Sequence, residues 1–129
     1  MHNQLLINIL CLFFFTQITT VRAQDFLMNS DPVTTCSGTF YDAGGAAGNY
    51  GNQSGGSVFK TFTSANGNRL KFNFSQFITE GNGLDFVTVF DGPDNSYPLI
   101  GTYQGNLAPF SVEGTGNRNQ SHLWIQVQL

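Results

Sequence analysis

Phe74-Ser-Gln-Phe77-Ile-Thr-Glu80-Gly-Asn-Gly-Leu-Asp85-Phe-Val-Thr-Val-Phe90-Asp-Gly92 holds two strands and the loop between them. Before the loop, Leu70, Phe72 and Phe74 alternate with Lys71, Asn73 and Ser75, the period-two pattern of a strand with one buried face. After it, residues 84–90 form a dense β-branched and aromatic run. Outward from this stretch, further strands are predicted at 57–63, 68–77, 99–104 and 121–129, with Asn66-Gly67 as a hairpin signal between the first two. Asp91-Gly-Pro-Asp-Asn95 reads as a turn in which Gly92 supplies a positive φ and Pro93 fixes its own. Residues 36–56, rich in Gly and Asn, read as loop. No segment sustains a helical period, so the expectation is an all-β, antiparallel sandwich.

Glu80 and Asp85 are the paired carboxylates that a turn can bring together, because they flank the Gly-Asn-Gly bend. Asp85 and Asp91 share a strand face, but six residues of extended chain separate them by roughly 20 Å, too far to hold one ion. Carboxylate oxygens at about 2.3–2.6 Å suit a hard cation such as Ca²⁺, which takes about 6–8 oxygens in all. The alternative is a polar surface loop with two solvated carboxylates.

The spacing Phe74-x-x-Phe77-x-x-Glu80, then Asp85-x-Val87-x-Val89-x-Asp91-Gly92, resembles the middle of a CUB domain. Upstream, Cys36-x-Gly38-x-Phe40-x-Asp42-x-Gly44-Gly45 with Tyr50 resembles the opening of bacterial members of that family. Downstream, Ile100-Gly101-x-x-x-Gly105-x-x-x-Pro109 and Leu123-x-Ile125-x-Val127 resemble its later strands, so the likeness covers about residues 35–129. It implies a jelly-roll-like sandwich and a calcium site in which Glu80 and Asp85 match two of three acidic ligands and Tyr50 matches a supporting tyrosine. The third acid would follow Leu129, and the resemblance makes the chain a domain whose last strands lie beyond that residue. It also implies two disulfides, but the positions that would pair are held by Thr63, Leu84 and Gln104. Cys36 is thereby left as a buried thiol or an intermolecular link.

The 129 residues have room for one small domain. Residues 1–23 read as a secretory signal: Leu5 to Phe15 is apolar apart from Asn8, too short to span a bilayer, and Val21-Arg22-Ala23 resembles a cleavage site. The alternative is an anchor that stays attached. Residues 24–34 form an extended lead, and 35–129 the domain. Residues 1–23 contain one of the five basic residues and none of the eight acids, so the remainder carries a net charge of −4. With only Lys60, Arg69, Lys71 and Arg118 left, nothing clusters to hold a phosphate backbone, and nucleic acid is excluded as a partner. No membrane attachment is expected once the signal is cleaved.

Catalytic motifs are missing. After residue 23, His122 is the one histidine and Cys36 the one cysteine, and no Gly-x-Ser-x-Gly elbow occurs in the chain. The leading expectation is a secreted, non-catalytic module that recognises an extracellular protein or glycan, with Ca²⁺ as a candidate cofactor. Two alternatives remain. A carbohydrate-binding module of a secreted hydrolase needs exposed, coplanar aromatics, for which Tyr41, Tyr97 and Trp124 are candidates. A small enzyme needs His122 beside an acid and a nucleophile. Asn52, Asn73 and Asn119 open Asn-x-Ser acceptor patterns, at about the frequency expected by chance in an Asn- and Ser-rich chain.

Overall fold

The computed structural model describes residues 24–51, 56–115 and 122–128. The segment 1–23 expected to be a secretory signal, the acceptor motifs at Asn52 and Asn119, and Leu129 lie outside the described residues. The strands are β1 (Gln24–Leu27), β2 (Val33–Thr35), β3 (Gly38–Tyr41), β4 (Ser57–Ser64), β5 (Lys71–Phe74), β6 (Phe77–Ile78), β7 (Phe86–Phe90), β8 (Leu99–Tyr103), β9 (Asn106–Leu107), β10 (Phe110–Glu113) and β11 (His122–Gln128). The only helical element among the described residues is a single 3-10 turn, Gly45–Ala47. No helix among them is long and apolar enough to cross a membrane.

Five strands form the main sheet in the order β2-β4-β11-β7-β8. β11 lies between β4 and β7 and pairs antiparallel with both, so Ile125 faces Lys60 on one side and Val89 on the other. Alternation points Leu123, Ile125 and Val127 toward the core with Val87, Val89 and Phe62; Leu123, Ile125 and Val89 are at most 1% exposed. The pairs β1-β3, β5-β10 and β6-β9 face this sheet. Aromatic rings knit the layers together. Phe62 of β4 meets Phe40 at 5.3 Å and Phe72 at 4.9 Å, both edge to face. Tyr103 of β8 and Phe74 of β5 each stack on Phe110 at 4.7 Å. The architecture is all-β and consistent with a β-sandwich.

Several expectations change. Asn66-Gly67 does turn the chain, with Gly67 at φ 72°, but it makes no hairpin. β4 pairs with β2 and β11, and β5 pairs with β10, so this turn passes the chain from one layer to the other. Phe62 and Phe72 then meet edge to face across the core, whereas a hairpin would have placed them side by side in one sheet. The run at 68–77 breaks at Ser75-Gln76 into β5 and β6, each with a different partner. The sheet is not purely antiparallel, because β1 runs parallel to β3 and β2 parallel to β4. β3 lies in the stretch read as loop, and β9 and β10 form where the sequence predicts no strand. Gly92 has no positive φ. A side chain there would collide with the Tyr97 ring, so the residue is needed for space. Cys36 is an exposed thiol in the bend between β2 and β3, which removes the buried reading.

Truncating the central strand should therefore be costly. Leu123→Ala and Ile125→Ala are each expected to lower stability by about 2–5 kcal/mol, whereas Glu113→Ala on an exposed edge should stay within about 0.5 kcal/mol. Urea unfolding midpoints of the three variants check this.

Candidate functional site

The loop between β6 and β7 is built as a tight bend. Asn82 (φ 68°) and Gly83 (φ 78°) both adopt the left-handed region, which Asn tolerates and Gly enters freely. The reversal places Glu80 and Asp85 at the two ends of the bend. Tyr50, at the end of the Gly-rich segment after β3, donates its hydroxyl to Asp85 Oδ2 at 2.9 Å. The backbone N–H of Glu80 faces the same hydroxyl, and the Glu80 carboxylate lies near enough to act on it electrostatically. The three residues named from the sequence thus come together across 35 positions of chain.

The phenol of Tyr50 is held above its ordinary ionisation range, first by burial and then by the hydrogen bond to and charge of Asp85, with the Glu80 charge adding to both. The site is accordingly rich in negative charge. Glu80 is exposed and Asp85 half-buried, so the carboxylates border solvent. They line one end of a cleft of about 1240 Å³ that also takes in Cys36, Asp42, Lys71 and Tyr50.

Thr79, Gln104 and Gly105 hold the loop in place. Thr79 Oγ1 donates to the Asp85 backbone carbonyl at 3.1 Å and accepts from Gly105 N–H at 2.8 Å. The Thr79 N–H in turn donates to the Gly105 carbonyl at 3.1 Å. Gly83 N–H donates to Gln104 Oε1 at 3.0 Å. The carboxylate loop is therefore pinned to the turn after β8, where Gly105 sits at φ 77°. Gly105 enters the sequence reading only as part of the CUB-like spacing and Gln104 only as a position where that likeness expects a cysteine; nothing local announces a Thr–Gly pairing between distant loops.

Every donor here is a hard oxygen, the type Ca²⁺ takes, although a full shell needs about 6–8 of them. Among the described residues no third His, Cys, Asp or Glu joins Glu80 and Asp85. The residues present suit a hard cation and would supply part of its shell, the rest falling to backbone carbonyls, water or residues outside those described. Asp91 does not contribute. It is 2% exposed and at the far end of β7, where its Oδ2 accepts from Thr115 N–H at 2.9 Å and Thr115 Oγ1–H at 2.6 Å.

The other candidates disperse. Trp124 is only 8% exposed, sandwiched between Phe59 at 4.9 Å and Phe90 at 5.3 Å, so no sugar ring can stack on it. Tyr97 lies over Gly92 with 37% of its surface exposed, and the half-buried Tyr103 packs against the core. His122 pairs with Thr63 on β4, and its side chain makes no hydrogen bond to the described residues. No protein-family model matches the chain.

Two measurements follow. The Tyr50 phenol should titrate above its ordinary value of 10.0, and Asp85→Asn should bring it down, as read by ultraviolet difference absorption. The folded state favours the neutral phenol, so its contribution to stability is complete below pH 10.0 and declines as pH rises through the folded-state value. Thr79→Val leaves the Gly105 N–H without its partner and should cost about 1–3 kcal/mol in thermal unfolding.

Proposed function

We propose that this chain is a secreted, non-catalytic recognition module of the CUB type, whose Glu80–Asp85 loop takes Ca²⁺ and through it an extracellular protein or glycan. The observation that carries the reading is the Tyr50 hydroxyl on Asp85 with Glu80 at the same hydroxyl. Those are the three residues that the likeness to calcium-binding CUB domains singles out, and they lie 30 or more positions apart from Tyr50 in the chain. The all-β architecture supports the same reading, as does the hydrogen bond from Gly83 to Gln104. That bond ties the loop at the place where the resemblance would put a disulfide.

In this role Ca²⁺ would neutralise the two carboxylates and fix the loop, and a ligating carboxylate would also accept a partner's Lys or Arg. Tyr50 orients Asp85, and Thr79 and Gln104 keep the bend in register. The apolar leader at Leu5 to Phe15 supports export. The carbohydrate-module alternative loses its best residue with the burial of Trp124.

Calorimetric titration with Ca²⁺, paired with thermal melts, tests the proposal. Binding is expected to stabilise the fold by about 2.7 kcal/mol at a hundredfold excess over Kd. Glu80→Gln and Asp85→Asn should abolish it while leaving the fold intact. A folded wild-type chain that gives neither heat nor a shifted melt would overturn the calcium reading.

A further inference from the structure

Lys60 is the anomaly of the core. It lies at the middle of β4 on the inward face, opposite Ile125 and beside Phe62, and is 3% exposed. Lysine is almost never so buried without an anionic partner. No carboxylate oxygen is bonded to its amine among the described residues. Instead Nζ donates to Asn29 Oδ1 at 2.5 Å and to the Asp31 backbone carbonyl at 2.9 Å. Asn29 Nδ2 in turn donates to Asp31 Oδ2 at 3.0 Å. One amine, one carboxamide and one carboxylate therefore form a closed chain of contacts at the mouth of an apolar core.

We propose that Lys60 and Asn29 join in an intramolecular isopeptide bond, with Asp31 carrying the proton. The neutral amine attacks Asn29 Cγ, forming the Nζ–Cγ bond; the Cγ–Nδ2 bond then breaks and ammonia leaves. Nζ gives up one proton and Nδ2 gains one, and the Asp31 carboxyl takes the first and returns it to the second. The Asp31 carboxylate ends as it began, and no oxidant, reductant or added reactant is consumed. Amine and amide exchange partners with no net change in charge apart from the proton that Lys60 first releases.

Each part of this step has a physical warrant. Burial favours the neutral amine over the ammonium form, outweighing the opposing influence of the Asp31 charge, so Lys60 is held below its ordinary range. The hydrogen bond at Oδ1 puts the nucleophile next to the carbonyl it attacks, and the Asp31 backbone carbonyl holds it there. Asp31 Oδ2 already touches the leaving nitrogen. The bond would tie the segment between β1 and β2 to the neighbour of the central strand. It would supply the cross-link that residues 24–129, with Cys36 alone, cannot make as an internal disulfide. It holds whatever the module recognises, and its failure leaves the calcium reading untouched.

Mass spectrometry of the folded wild-type chain tests it. The protein is expected to be lighter than its sequence by one ammonia. Trypsin is expected to leave Lys60 uncut, giving one peptide through Arg69 that contains both Asn29 and Lys60 and yields no fragment ions from within 29–60. Asp31→Ala and Lys60→Arg, with folding checked by circular dichroism, should return to full mass, and Asp31→Ala should restore cleavage after Lys60. A folded wild-type chain at full mass, or one that has lost ammonia yet is cut after Lys60, would overturn the proposal. The latter pattern marks cyclisation of an asparagine onto its own backbone. A cross-link that survives Asp31→Ala would overturn the role given to Asp31.

Discussion

The seating of β11 between β4 and β7 is the constraint on which the rest of the structure depends. It is the last of the described strands and an interior strand of the main sheet, hydrogen-bonded along both edges. Leu123 and Ile125 on its inner face lie at the bottom of the core, and Trp124 on its outer face fills the space between Phe59 and Phe90. Without this strand, β4 and β7 have no contact through which to form one sheet. Its partners lie far away in sequence, so the loop entropy of the whole domain must be met before its contacts form, a topology that folds slowly.

This arrangement explains where the functional loops can lie. β6 and β9 are two-residue pairs at the rim, too short to bury much, and they end in the bends that present Glu80, Asp85 and Gln104. Phe77 seats β6 in the core, and the exchange of hydrogen bonds between Thr79 and Gly105 fixes the bends beyond it. A carboxylate loop needs such polar fixing, because mutual repulsion of Glu80 and Asp85 opens a loop that is otherwise free. Tyr50 adds a neutral donor to the Asp85 carboxylate.

The N-terminal strands play a part unlike that of a lead segment. β1 and β2 each run parallel to the strand they pair with, and between them Asn29 and Asp31 reach the amine of Lys60. A buried charge-bearing side chain on a strand that otherwise presents Val58 and Phe62 to the core is tolerable only because that segment satisfies it. The lysine and the lead therefore explain each other.

Local pattern was enough to read the all-β class, the positions of β4, β7, β8 and β11, and the bend that sets Glu80 and Asp85 at its two ends, because alternation and a Gly-Asn-Gly turn act over a few residues. Tyr50 was legible only by likeness, since 35 positions separate it from Asp85. Tertiary structure alone decided that Asn66-Gly67 turns between layers, that β1 and β2 pair in parallel, that Trp124 is covered and that Thr79 holds Gly105. The physical reason is common to all of these. A strand's inward face is written in its own residues, but its partner is chosen by which other faces remain to be covered. That choice is made by packing across the whole domain.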